Sequence, residues 1–485
     1  MQSLYLILLG LIMALCFAAM TQLDHFTRDG VQFVTLILLA FAAFAVAVLI
    51  VWRRPRHRLA LIVGLALLFR LPLFFTTPTL STDVWRYLWD GRLINAGVNP
   101  YAYRVDAPEL VPLRTDLHER IDHQWMASPY PPAVNAVFAA VYRIAPESAT
   151  ALQIAFTLFD LATAWVIVRL LRHFKLPASW VLIYLWNPLI VVEYAHSAHL
   201  DSLMTFFTVL ALYTALTGRR TLSAAALAVA ILTKFIPALL LPVLFWCWGF
   251  WRAVLCGVIV VAALAPLLLA DLAAAREVAE GTGVFGATYI YLTQWRTNAG
   301  IVEWLLSALE PYTDDPLRVA RGIGSGVLLI VGAWVFWRSR RAADDQIMLY
   351  SAVLISVYTL FTAAVFPWYL TWLLALLPLL IGRYPVFVAA WLYFAAAVNL
   401  SYLFYLDPEN PREFEWIRVV EYAPLYIGLG LAYLHGLTQR QPLLAQRQAE
   451  REDQAGGEQQ REERERPRLI QDGEPQRIEV VDEHH

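Results

Sequence analysis

The chain has 485 residues, 59% hydrophobic and 16% charged, with a mean hydropathy of +0.54. Charge this sparse cannot cover a water-facing surface of that size, which excludes a soluble globular protein. A formal net charge of −2 gives no electrostatic case for nucleic acid, and three cysteines inside apolar runs, without CxxC or Cys/His spacing, exclude a disulfide framework and a zinc module.

Many apolar runs approach the roughly 20 residues that cross a bilayer as helix. Backbone groups in lipid must be satisfied within the segment, so such runs imply helices rather than barrel strands. The expected fold is an all-α polytopic membrane protein with about 14 transmembrane helices (about 13–14), embedded in the lipid bilayer of the cell (inner) membrane. The first 20 residues lack a basic n-region and an A-x-A site, so they read as a retained first helix rather than a signal peptide.

Helix 1 is expected over about 3–20 and helix 2 over about 32–52, followed by the basic run RRPRHR at 53–58. The positive-inside rule puts that run, and with it the N-terminus, in the cytoplasm. Helix 3 (59–75) returns to the outside, so the segment 76–147 is a long first external loop carrying juxtamembrane helices. From Asp83 to Arg92 the sequence suits a short amphipathic helix, with Trp85, Leu88, Trp89 and Arg92 on one side, lying at headgroup depth. Tyr130-Pro131-Pro132 opens a second short apolar stretch to about 144, expected as a juxtamembrane or half-inserted helix.

Helix 4 (about 148–171) ends in Arg169, Arg172, His173 and Lys175, a second cytoplasmic signal. Helix 5 (about 179–194) emerges outside at Glu193–Asp201, and helix 6 (202–217) returns inside. Helices 7 (221–234) and 8 (236–250) form a pair turning around Lys234 and Pro237. Helix 9 (253–270) leads to a second external loop, 271–320. Helices 10 (322–337), 11 (346–365), 12 (368–381), 13 (385–404) and 14 (421–437) follow. The strongest basic loops all fall inside by this count. The chain thus divides into two extra N-terminal helices (1–58), a transmembrane body (59–437), and a Gln-, Glu- and Arg-rich segment (438–485) expected to be a disordered cytoplasmic tail. Both termini are then cytoplasmic.

Polar groups gather at the outer helix ends, and chemistry is expected there. Asp83 lies just beyond a membrane helix among aromatics, where lost solvation raises basicity. Asp83, Arg86 and Asp90 stand at i, i+3 and i+7, so an intrahelical ion-pair ladder or a helix cap are equally open readings. Lys234, in ILTKFIPALL, is an expensive charge at depth, serving a site or snorkelling outward. Arg296 sits in an aromatic loop and suits bidentate contact with a phosphate, whether substrate or lipid headgroup. His196, His199 and Asp201 have a spacing that a metal accepts, although two histidines at i, i+3 also serve as surface or cap. Asp201 also suits the cap of helix 6. Trp368 and Tyr369 offer an aromatic shelf for a sugar face or an interfacial anchor. No P-loop, GxGxxG or Ser/His/Asp signature occurs.

The stretch DVWRYLWDGR…GVNPY (83–101) resembles the first external loop of the polyprenol-phosphate-mannose-dependent mannosyltransferases of the GT-C superfamily. Tyr130-Pro131-Pro132, Trp186-Asn187-Pro188 with His199-Leu200-Asp201, Thr233-Lys234 and Pro367-Trp368-Tyr369 follow in the family's order, so the resemblance covers roughly 59–437. It implies a GT-C-like fold and an inverting transfer of a hexose, mannose by default, on the external or periplasmic face. The donor would be a polyprenyl-phosphate sugar; the acceptor a hydroxyl of a glycan, glycolipid or protein. Asp83 falls on the family's catalytic base. Lys234, Arg296 and His199 become candidates for the donor phosphate, while Trp85, Arg86, Tyr87, Asp90, Arg92, Tyr130, His196, Asp201, Trp368 and Tyr369 shape the site. No metal or other cofactor is expected. The competing reading is a transporter or flippase of a lipid-linked sugar, disfavoured because transporters place ionisable groups at mid-membrane.

Overall fold

The structure is a computed structural model that describes residues 2–55, 58–273, 280–407 and 410–436. The charged segment 438–485 lies outside the described residues. Among the described residues the fold is all helical, without a strand; an isolated bridge joins Thr297 to Ala364. Two compact units are Met1–Ile427 and Gly428–His485, the second described only over 428–436.

Among the described residues, seven helices are long and apolar enough to cross a membrane, or up to eight if one bent pair is a single span. They include Gln2–Met20, Gly30–Arg53, Ala149–His173, Phe250–Leu272 and Pro316–Ser339, close to five of the expected spans. Pro385–Tyr405 and Glu415–Gly436 complete the seven and lie at expected helices 13 and 14, while the other expected spans are shorter or interrupted. Five apolar helices, Leu59–Phe75, Pro132–Ile144, Asp201–Leu216, Arg220–Ile231 and Ile236–Trp248, fall below full span length.

The interruptions have local causes. Expected helix 5 is two pieces, Ala178–Leu185 and Pro188–Ala195, bent by 60°. Pro188 has no amide to continue the ladder, and the Asn187 side chain caps the second piece by accepting from the Leu189 amide at 3.1 Å. Arg70, fully buried, fastens the break: its Nη1 donates to the Leu185 carbonyl at 3.1 Å and its Nε meets Asp160 Oδ2 at 2.7 Å. Expected helix 12 is likewise a series of short turns, Pro367–Leu370, Thr371–Leu374 and Leu377–Leu380. Pro367 and Pro378 set those starts. The last helix begins at Glu415 rather than 421.

The Asp83–Asn95 helix corrects an expectation. It is not an interfacial float with its tryptophans at the headgroups. Val84, Tyr87, Leu88, Trp89 and Leu93 are buried in one cluster with Val134, Phe138 and Phe156. Tyr87 stacks on Phe138 with centroids 4.5 Å apart. Gly91 permits this: a Cβ there would stand 2.6 Å from the Phe138 carbonyl oxygen, so only glycine lets the Asp83–Asn95 and Pro132–Ile144 helices approach so closely. The apolar stripe that suggested a membrane surface instead faces protein.

Candidate active site

The Asp83–Asn95 helix, the Thr233–Ile236 turn, the start of Asp201–Leu216 and the Phe366–Tyr369 turn surround one cavity of about 1240 Å³. Among the site residues expected from sequence, all but Asp90, Arg92, His196 and His199 line it.

Asp83 is the first residue of its helix, with its side chain about a third accessible (36%) through the cavity. It is not a cap: the cap position is Thr82, whose hydroxyl donates to Asp122 at 2.9 Å. The ion-pair ladder forms only in its second half. Arg86 Nε pairs with Asp90 Oδ1 at 3.2 Å and Arg86 Nη2 donates to the Met126 carbonyl at 3.1 Å. Asp90, fully buried, also accepts from the Ser128 hydroxyl. Asp83 faces His199 instead, Oδ2 to Nδ1 at 3.8 Å. The enclosing walls push the Asp83 carboxyl above the usual carboxylate range, and the His199 and Lys234 charges pull it partly back. Burial likewise raises Asp90, with Arg86 and Ser128 opposing.

Lys234 reaches the cavity from the turn between two short helices. Its ammonium donates to Asp201 Oδ1 at 3.0 Å and lies 4.3 Å from the centre of the Tyr369 ring. Trp372 Nε1 donates to the same Asp201 oxygen at 2.6 Å, and Tyr369 shares a hydroxyl–hydroxyl bond of 2.7 Å with Tyr291. Asp201 is the first residue of its helix but not the expected cap: the cap position is Leu200, and the carboxylate is committed to Lys234 and Trp372. Arg296 also lines the cavity, but its guanidinium is half exposed and paired with Glu303 at 2.8 Å.

Four expected residues stand behind the wall. Arg92 faces away from the cavity, tying the Leu113 carbonyl, Tyr142 and Glu147 together. His196 is buried and saturated: Nε2 accepts from the Thr79 amide at 3.2 Å, which leaves Nδ1 as the protonated nitrogen 2.7 Å from Thr76 Oγ. Its ring stacks on Phe26 at 3.9 Å. Burial, with His199 and His25 nearby, draws its pKa down to about 3, and with both nitrogens engaged by Thr76 and Thr79 it is a neutral structural post. His199 is fully buried under Trp368, ring centroids 4.0 Å apart. Trp368 in turn stacks on Phe366 at 4.6 Å. The aromatic shelf therefore carries an imidazole on its inner face.

Sequence reasoning missed Glu193, Tyr402 and Trp372. Glu193 is a carboxylate inside the apolar run PLIVVEYA, and that cost was the available signal. Tyr402 and Trp372 carried none, since aromatics abound in every helix. It also missed the 25–28 turn, whose His25 and Arg28 reach the cavity.

A family model described as alpha-(1->6)-mannopyranosyltransferase, N-terminal domain, matches residues 11–250, and a model described as MptB C-terminal domain matches residues 292–419. The alpha-(1->6)-mannopyranosyltransferase A of Mycobacterium tuberculosis is 26% identical over 339 residues, which is 63% of this chain and 62% of that protein. The protein of the same name from Corynebacterium glutamicum is 28% identical over 182 residues, 36% of each chain. The chain thus spans less than two thirds of the length of these curated relatives. Among solved structures, ArnT from Cupriavidus metallidurans, bound to undecaprenyl phosphate, is 18% identical with a TM-score of 0.43, covering 77% of this chain and 76% of that one.

Proposed function

We propose that the chain, similar to the alpha-(1->6)-mannopyranosyltransferases over residues 11–250, is a membrane glycosyltransferase moving mannose from a polyprenyl-phosphate donor to a hydroxyl of a glycan, glycolipid or protein. The transfer takes place on the external or periplasmic face and inverts the anomeric centre. The observation that carries this reading is the presence, within one cavity, of a carboxylate with raised basicity, Asp83, and of the Lys234 ammonium held in place by Asp201.

The chemistry follows from that arrangement. The acceptor hydroxyl attacks the anomeric carbon as Asp83 takes its proton. The bond from that carbon to the phosphate oxygen breaks, and the departing lipid phosphate gains charge. A preorganised ammonium stabilises such charge more in the transition state than in the bound donor. Lys234 is held for that task by Asp201 and by two aromatic faces, with Arg296 as a second cation at the rim. Trp85, Tyr130 and Tyr369 line the same cavity and offer rings to a sugar, whereas both faces of Trp368 are already covered, by His199 and Phe366.

The test is transfer of labelled mannose from polyprenyl-phosphate mannose to membrane glycans, comparing wild type with Asp83→Asn at equal expression. Transfer by wild type alone supports both reaction and base. Equal transfer by both removes Asp83 as the base. Silence in both, with flipping of the lipid-linked sugar by wild type, replaces the enzyme with a transporter.

A further inference from the structure

Glu193 is a charged side chain that this chemistry leaves unused. It is fully buried, and a carboxyl removed from water costs several kcal/mol unless it is partnered. Its partners are specific. Oε1 accepts from the Tyr402 hydroxyl, and Oε2 faces Nε2 of His199 at 3.3 Å.

The backbone is shaped to make that meeting. Ala198 adopts a left-handed φ of +56°, which a residue with a Cβ adopts reluctantly. The chain thereby folds back so that the His199 amide donates to the Glu193 carbonyl at 3.0 Å. Trp368 then clamps the imidazole from one face. The result is a row, Glu193, His199, Asp83, with carboxyl oxygens 3.3 and 3.8 Å from the two nitrogens of one buried ring, within reach of charge–charge attraction though neither nitrogen is hydrogen-bonded.

A ring flanked by acceptors on both sides is stabilised with a proton on each nitrogen, as an imidazolium. Other charges act on Asp83 beside it: Lys234, itself paired with Asp201, and His123 on the 120–126 loop also favour the charged carboxylate, while Asp201 opposes it; His196 on the far side of His199 is neutral.

We propose that Glu193 holds His199 as an imidazolium and that this buried positive charge keeps Asp83 ionised, and so competent as a base, inside the enclosed cavity. The inference rests on the reading of Asp83 as the base. Glu193 is a positioning residue: it acts through His199 and does not line the cavity.

The test is the pH dependence of kcat/KM for labelled mannose transfer from polyprenyl-phosphate mannose, in the full chain, for wild type, Glu193→Gln, His199→Asn and Asp83→Asn. Glutamine keeps an oxygen for Tyr402 and removes only the charge. The expected result is that the acid limb moves to higher pH by about one unit or more in Glu193→Gln, as the loss of an opposite charge requires, with the plateau at high pH largely retained. His199→Asn should shift the limb the same way, and Glu193→Gln combined with His199→Asn no further. A uniform fall at every pH, or no change, overturns the proposal. Asp83→Asn separates the two ideas: if it retains transfer, the base assignment itself fails. A second measurement needs no variant beyond assignment. The ¹⁵N shifts of the His199 ring in the wild-type protein near neutral pH should report both nitrogens protonated; a neutral ring overturns the proposal.

Discussion

Lys234 Nζ and Trp372 Nε1 donate to one and the same oxygen of Asp201, at 3.0 and 2.6 Å. The carboxylate thus sets the ammonium's position, while the indole holds the carboxylate, so the charge is preorganised before any substrate arrives. Lys234→Met keeps the length and removes the charge. Transfer should fall about 10²–10³-fold, the usual loss for one preorganised donor to a developing anion. Arg296→Ala should cost less, because Arg296 is half exposed and already paired with Glu303. Equal effects of the two variants on the same labelled-donor assay would count against Lys234 as the principal phosphate cation.

Asp83→Asn should lower transfer about 10²–10⁴-fold, the range for loss of a positioned proton acceptor. In wild type the sign of the pH effect is fixed by chemistry. Only the carboxylate accepts a proton, and burial places its pKa above the ordinary range. Activity should therefore drop as pH falls through that raised value, at a higher pH than for an exposed aspartate. A rate that is flat from neutral pH down to the ordinary carboxylate range would contradict this.

Arg86 and Asp90 are both buried and paired at 3.2 Å, with Asp90 further held by Ser128. Removing one member leaves a charge without its partner. Asp90→Ala should destabilise the protein by about 3–5 kcal/mol. The double change Arg86→Met with Asp90→Leu should recover much of that, since apolar side chains of similar volume often replace such a pair at little cost. Thermal unfolding in detergent compares the three.

These pairs show where the sequence is informative. Positions of apolar helices could be read because a bilayer demands about 20 residues of one character. Asp83, Asp201 and Lys234 stood out because polar groups are rare among such helices. What one dimension does not contain is the choice of partner. Arg86 lies within reach of Asp83 and Asp90 by helical spacing alike, and only the packing of Ser128 and Met126 against it selects Asp90. Trp85 and Trp89 share a stripe, yet Trp89 is fully buried while Trp85 lines the cavity under the Arg120 guanidinium. Whether lipid or protein covers an apolar stripe is decided by a second helix far along the chain, here Pro132–Ile144. The helix breaks were not read: helix 5 is expected as one span across Asn187-Pro188, and the Arg70 that satisfies the Leu185 carbonyl at its break comes from 115 residues away.

His196 makes a prediction about stability rather than rate. Its pKa in the folded chain is about 3, against an ordinary value of 6.5. Between those values the unfolded chain binds a proton that the folded chain excludes, so stability rises with pH across that window and levels off above it. Acidification from neutral pH should therefore lower the melting temperature of wild type more steeply than that of His196→Asn, which has nothing to protonate there. Parallel curves for the two proteins would mean that the ring is not kept neutral by its surroundings.

Gly91 tests the close helix contact behind the site. A methyl group at 91 would stand 2.6 Å from the Phe138 carbonyl oxygen and 3.0 Å from both the Phe138 carbonyl carbon and Tyr142 Cβ. Two of those atoms are backbone and cannot rotate aside, so the helices must part. Gly91→Ala should cost about 1–3 kcal/mol, as overpacking does. It should also lower transfer, because Asp83 rides on the same helix. Gly64→Ala is the matched control: no atom lies within 4 Å of its added Cβ, and alanine improves helix propensity by roughly 0.5–1 kcal/mol. The expected pattern is a lower melting temperature for the first variant and an equal or higher one for the second. If both behave alike, the contact at Phe138 does not hold the catalytic helix in place.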